Sequence, residues 1–210
     1  PVRDLRIDAK EMEALAEQFV RQKKIPGMAM ALVQNGKVLS ARGYGVTSTG
    51  KPQPIRPDTV FRLASLSKAF AATLTGILVE EQALSWDTPI SKQLPAFKLK
   101  DFQASQRLTV SDILSHQVGL GKNTYDRDLE GNVPYPLLAE RLSNAPMACT
   151  PGECYGYQNI AYSLIGDVVQ GASGLPFDQV VARRLFKPLG MTDASYGLEG
   201  ITASARWAKP

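Results

Sequence analysis

Phe61-Arg62-Leu63-Ala64-Ser65-Leu66-Ser67-Lys68 opens an apolar stretch that runs on to Gln82. The stretch is rich in Ala and Leu and carries no charge between Lys68 and Glu80. Its apolar residues fall on nearly every face, so the sequence predicts one long, buried helix over 61–82. Residues three apart share a face of a helix, which lets the Lys68 amine approach the Ser65 hydroxyl. The positive end of the helix dipole favours negative charge developing at Ser65. A hydroxyl with an amine beside it is the arrangement an activated nucleophile needs. The spacing also fits a capping serine followed by a surface lysine, and a lone Ser-x-x-Lys recurs by chance.

On the N-terminal side, Met12, Leu15, Ala16, Phe19 and Val20 recur at helical spacing, which predicts a helix between Ile7 and Gln22. Asp8 is its N-cap, and Glu11 completes a capping box. Pro26-Gly27 ends it. Met28–Val33 and Lys37–Tyr44 flank Asn35-Gly36, a strong hairpin signal. Residues 45–57, rich in Gly, Pro, Ser and Thr, read as loop. On the C-terminal side, Thr109–Ser115, Pro136–Leu142, Asn159–Gln170 and Pro176–Phe186 read as helices split by Pro, Gly and Asn.

This order predicts an α+β protein, an antiparallel sheet flanked by helices plus an all-helical region. Residues 1–60 would form the N-terminal helix and hairpin of the α/β part. Residues 61–210 would form the mostly helical domain. Two strands are a marginal sheet with an open edge. The chain also ends at Ala205–Pro210 with no terminating element, so further strands of the α/β part are expected to be missing from it.

The chain has 210 residues, 44% hydrophobic and 21% charged, enough for a real core. The net charge of +4 is mild and scattered. Its one tight run, Arg21, Lys23 and Lys24, reads as a solvated helix end, so no nucleic-acid partner is expected. No apolar run is long enough to span a bilayer. Pro1 is not a natural initiator, so an upstream signal segment is expected to have been removed. With two cysteines and one histidine, a structural Cys/His metal site is excluded. Cys149 and Cys154 flank Pro151-Gly152, which suits the centre of a type II turn and brings the two thiols within bridging distance. A disulfide and two free thiols both remain open; a bridge would indicate an oxidising compartment.

Two further clusters could carry chemistry. Tyr157 and Asn159 lie two apart in an extended segment and so face the same side. A tyrosine close to a cationic lysine loses its proton more easily and can act as a base. A packed tyrosine followed by a helix-capping asparagine reads equally well. His116 is the sole histidine, and a Ser-His-Asp triad would have to use it. Without a Gly-x-Ser-x-Gly elbow, it reads instead as a structural histidine bonded to nearby backbone at a helix end.

Several segments resemble one family in register. They are Pro26-Gly27-Met28-Ala29, Arg42-Gly43-Tyr44-Gly45, Phe61 to Lys68, and Leu108-Thr109-Val110 through Leu120, with Gln117-Val118 where Thr-Ser is commoner. Pro151-Gly152, Tyr157-Gln158-Asn159 with Tyr162 and Gly166, and Pro188-Leu189-Gly190-Met191-Thr192 follow. Together they resemble the class C β-lactamases and D-alanyl-D-alanine peptidases, a penicillin-binding-protein-like family that also includes esterases. The resemblance implies a β-lactamase/transpeptidase-like fold with Ser65 as the acylated nucleophile. Lys68 would share protons with it, and Tyr157 would be the base. Asn159 would hold Lys68 and bind the substrate's amide. The Ser65 N–H would donate to the oxyanion.

The family's third motif, Lys/His-Thr/Ser-Gly on a later strand, has no counterpart at a suitable place. The 210 residues by themselves are therefore expected to be inactive. The expected partners are a small-molecule or peptide substrate and the missing C-terminal part, as more of the same protein or as a separate chain. The resemblance implies no metal, nucleotide or other cofactor. It implies a serine hydrolase acting on β-lactams or D-Ala-D-Ala peptides in the bacterial periplasm or outside the cell. An esterase or amidase with the same Ser-Lys-Tyr site, and a non-catalytic binding or sensing relative, are the alternatives.

Overall fold

The computed structural model describes residues 6–209. Pro1 and Pro210, on which the expectations about the chain's ends rest, lie outside the described residues. The chain forms two compact units, Pro1–Ala64 with Thr192–Pro210, and Ser65–Met191. A division at residue 60 put the C-terminal residues with the helices, whereas their contacts place them with the hairpin. Backbone bonds show why. Val60 N–H donates to Arg206 O at 3.0 Å, Ala208 N–H to Val60 O at 2.8 Å, and Lys209 N–H to Thr47 O at 3.1 Å. A short helix, Leu198–Ala203, precedes this tail. Residues 206–209 are therefore a paired segment of the first unit.

In the first unit, α1 (Ala9–Arg21) starts where Asp8 Oδ1 accepts the N–H groups of Lys10 and Glu11 at 3.0 and 3.1 Å. These bonds satisfy donors that a helix start leaves open. The helix lies against β1 (Gly27–Gln34) and β2 (Lys37–Gly45), which pair antiparallel. Glu13 ties it down, accepting from Ser40 Oγ and, at 2.8 Å, from Arg42. Asn35 and Gly36 carry the loop with φ of 51° and 72°. Both angles are positive, as a type I′ turn requires. The register passes from Leu32↔Ser40 to Val33↔Val38, so Leu39 is the extra residue of a bulge.

The second unit is helical. Its helices are α2 (Ser67–Glu80), α3 (Phe102–Arg107), α4 (Val110–Leu114), α5 (Asp126–Glu130), α6 (Tyr135–Arg141), α7 (Ile160–Ser173) and α8 (Phe177–Val181), the last running into a π turn, Ala182–Phe186. The long helix expected from Phe61 starts at Ser67, after a 3-10 turn over Ala64–Leu66. Ala64 has φ of 47°, which a right-handed helix cannot contain. Nor is α2 buried all round: Ala71, Leu74, Thr75 and Leu78 form one buried stripe. α3 and α5 were not foreseen, because FQASQR and DRDLE are short and mostly polar and show no apolar period.

The core sits on α7, which packs against α2, α4, α6 and α8. Ile160, Ala161, Leu164, Ile165, Val168 and Val169 are all buried along it. Each large aliphatic side chain removed from water contributes roughly 1.5–3 kcal/mol. Gly174 ends α7 in the left-handed conformation, φ 71°. α4 begins with a full capping box between Thr109 and Asp112.

Candidate active site

The site is assembled from the start of α2, the turn after α4, the start of α5 and the segment leading into α7, all within the helical unit. Ser65 lies in the 3-10 turn and is exposed; Lys68 is in the first turn of α2 and half-buried. The left-handed Ala64 is what bends the chain just ahead of Ser65.

The opposing segment is pinned at several points. Cys149 and Cys154 form a disulfide with Cα atoms 6.2 Å apart. Between them Glu153 N–H donates to Thr150 O at 3.1 Å and Gly152 has φ of 88°, as in a type II turn. Gly152 N–H bonds Gln117 O at 2.8 Å, Gly156 N–H bonds His116 O at 2.9 Å, and Asn123 N–H bonds Tyr157 O at 2.7 Å. At Gly119, φ is 87° and a β-carbon would lie 2.4 Å from Cys149 O, so only glycine lets the two turns meet. Within the pinned segment Gln158 points inward and is fully buried, while Tyr157 and Asn159, on the other side, reach Lys68.

The Lys68 ammonium has three donors, and the structure gives each a partner. Nζ donates to Asn159 Oδ1 at 2.6 Å, to Tyr157 Oη at 2.8 Å and, more loosely, to Ser65 Oγ at 3.5 Å. Tyr157 Oη in turn donates to Ser65 Oγ at 2.8 Å. The bond from Lys68 holds the Tyr157 pKa below that of an ordinary tyrosine, helped next by the bond to Ser65 and opposed by burial. The tyrosine oxygen thus sits between a cation that favours its ionised form and a hydroxyl whose proton it can take.

His116 joins neither chain of bonds. Its Nδ1 accepts the Gln158 N–H at 3.2 Å, so the neutral ring carries its proton on Nε2. Burial, and then the Lys68 charge, lower its pKa. Its ring packs 4.5 Å from that of Tyr157 and 5.1 Å from that of Tyr162. It is a wall behind the tyrosine.

Sequence reasoning passed over three residues here. Tyr162 was noted only for its resemblance, yet its hydroxyl donates to Lys68 O at 2.9 Å and its ring lies 5.3 Å from Lys68 Nζ. Asp126 accepts from Asn159 Nδ2 at 2.8 Å. Buried Gln158 donates from its side chain to Gly121 O. The aromatic spacing of Tyr157 and Tyr162 on either side of a helix start was a usable signal. Asp126, in a charged run far along the chain from Asn159, had none.

A family model described as Beta-lactamase matches residues 12–210. The chain belongs to the beta-lactamase family. It is 30% identical over 208 residues to Esterase EstB of Burkholderia gladioli, a match covering 90% of this chain and 51% of EstB. The octameric penicillin-binding protein homologue from Pyrococcus abyssi superposes with a TM-score of 0.82 at 25% identity, over 96% of this chain and 47% of that one. A class C beta lactamase superposes with a TM-score of 0.74 at 23% identity, over 96% and 55%. The fold is therefore β-lactamase/transpeptidase-like. The chain spans about half the length of these family relatives.

Proposed function

We propose that the chain carries the acylation centre of a serine hydrolase that works through an ester on Ser65. The Tyr157 oxygen at 2.8 Å from both Lys68 Nζ and Ser65 Oγ carries this reading. Tyr157, ionised beside the Lys68 ammonium, takes the Ser65 proton as Oγ bonds to the substrate's carbonyl carbon. The oxyanion that forms is met by the Ser65 backbone N–H. Collapse breaks the bond to the leaving group, which takes the proton from Tyr157. Water then attacks the acyl-enzyme, giving its proton to Tyr157, and Ser65 leaves with that proton. Lys68, held by Asn159, steadies the tyrosine's charge.

The substrate class favoured is a carboxylic ester, on the likeness to Esterase EstB across nine-tenths of the chain. A β-lactam or D-Ala-D-Ala peptide substrate is the second reading, supported by the fold shared with a class C beta lactamase. The disulfide supports a place in an oxidising compartment, the periplasm or the cell exterior. The test uses the protein at its natural length with a fluorophosphonate probe, nitrophenyl esters and nitrocefin. Labelling and turnover that vanish in Ser65→Ala are expected, with esters turned over faster than the lactam. Undiminished turnover in Ser65→Ala would remove the nucleophile; nitrocefin turnover without ester hydrolysis would reverse the order of substrates.

A further inference from the structure

A primary amide is nearly symmetric in shape but not in charge. Turned one way, Asn159 offers Lys68 an acceptor; turned the other, it sets an NH2 group against an ammonium. In this site Oδ1 faces Lys68 at 2.6 Å and Nδ2 donates to Asp126 Oδ2 at 2.8 Å. A carboxylate only accepts and an ammonium only donates, so a single orientation of the amide satisfies both neighbours.

Asp126 is held there against local preference. Its other oxygen, Oδ1, is sealed from solvent and has no hydrogen-bond partner among the described residues, an unfavourable state for a buried acceptor. Tyr125, the residue before it, adopts φ of 62°, the left-handed region. Neither feature stabilises α5. Both follow if the carboxylate must be aimed at Asn159.

We infer that Asp126 is a positioning residue of the acylation centre: it locks the Asn159 amide with its oxygen toward Lys68, and so keeps the ammonium between Tyr157 and Ser65. The inference rests on the hydrolase reading above. Asp126 acts on Lys68 through Asn159, and its charge also reaches Tyr157.

Asp126→Asn keeps the size and removes the charge, while Asp126→Ala also removes the acceptor. Both are compared with Asn159→Ala and the Asp126→Asn/Asn159→Ala pair, in the protein at its natural length, on a nitrophenyl ester over a range of pH. The groups facing Tyr157 are Ser65 and Lys68 from the start of α2, His116 after α4, Asp126 from α5 and Tyr162 from α7. Among the influences on the Tyr157 pKa the Lys68 bond is the largest and lowers it, while the Asp126 charge raises it.

Releasing the lock loosens the Lys68 bond, the largest of these influences, so the acid limb of the rate profile moves to higher pH, against the smaller direct effect of the lost Asp126 charge. The plateau should fall at the same time, on the order of 10- to 100-fold for Asp126→Ala and less for Asp126→Asn. A merely structural fault would lower the plateau and leave the limb in place. In the Asn159→Ala background, Asp126→Asn should lower the plateau no further. An unchanged profile in Asp126→Asn, or losses that multiply in the double variant, would overturn the inference. A wild-type protein without Ser65-dependent turnover would overturn the hydrolase reading itself.

Discussion

The hairpin tip and the turn ahead of Ser65 both use backbone in the left-handed region, and they use it differently. At the hairpin tip the residues are Asn35 and Gly36, at φ 51° and 72°. These are types that adopt such angles readily, and the turn they make matches the twist of β1 and β2. Ahead of Ser65 the residue is Ala64 at φ 47°, and His116 at 60° and Tyr125 at 62° stand near the same site. Alanine and tyrosine are not residues a designer of turns would choose there. The hairpin tip lowers the energy of a fold. The angles around Ser65 raise it by about 1–3 kcal/mol each, and they aim Ser65, a wall for Tyr157, and Asp126. Such angles also occur away from the site, at Lys23 (φ 55°) and Gln82 (φ 60°), so around Ser65 they gain meaning only from what they aim.

The contrast is sharpest if activity and stability can be separated at Tyr157. Tyr157→Phe keeps the ring packed against His116 and removes the oxygen that joins Lys68 to Ser65. Turnover should fall by about 10²–10⁴-fold, the scale of a lost general base. In the wild type, turnover should rise with pH through a limb below the ~10 of a free tyrosine, because bonds from Lys68 and then Ser65 lower that pKa. The limb belongs to the ionised form, so activity is lost as pH falls through it. Tyr157→Phe should erase this limb and change the melting temperature little. A limb that survives in Tyr157→Phe assigns it to another group and breaks the reading of Tyr157 as base.

How far the sequence could be read follows the same division. Where local rules decide, reading succeeds: the Asn-Gly turn, the Asp8 cap, the Thr109 start of α4 and the alternation that turns Tyr157 and Asn159 to one side. Where a distant contact decides, it fails. Nothing near Phe61 says that Ala64 will turn left-handed and delay α2 to Ser67. Nothing in residues 126–128 says that one carboxylate will meet an amide at Asn159. The pairing of Trp207 had no local signal, because its partner, Val60, lies far back in the sequence.

The disulfide offers an intermediate case, since it braces the site side of the comparison without taking part in the chemistry. Replacing both Cys149 and Cys154 by Ala opens a short loop, and the chain-entropy estimate for so few residues is about 2 kcal/mol of stability. The loop precedes Tyr157 and is also held by Gly152 and Gly156 N–H bonds to Gln117 and His116. Turnover should therefore drop only several-fold, with the pH limb unmoved. Denaturant unfolding and the same ester assay test both halves. A loss of turnover as large as that of Tyr157→Phe would make the bridge part of the positioning apparatus.

The smallest effects put the two turns in direct opposition. Gly36→Ala forces a β-carbon into φ 72° with nothing within 4 Å to relieve or worsen it, so the cost is the backbone's own, about 1 kcal/mol, with turnover unchanged. Ala64→Gly does the reverse. The methyl is exposed, so removing it forfeits little packing, and glycine accepts φ 47° without strain. The relief is offset by the freer unfolded chain, about 0.4–1 kcal/mol, and stability should stay within about 1 kcal/mol of the wild type. Turnover should nonetheless fall, because a glycine before Ser65 lets the nucleophile leave its place between Lys68 and Tyr157. If Ala64→Gly gains stability and keeps full turnover, the left-handed alanine aims nothing, and the two turns differ only in residue type.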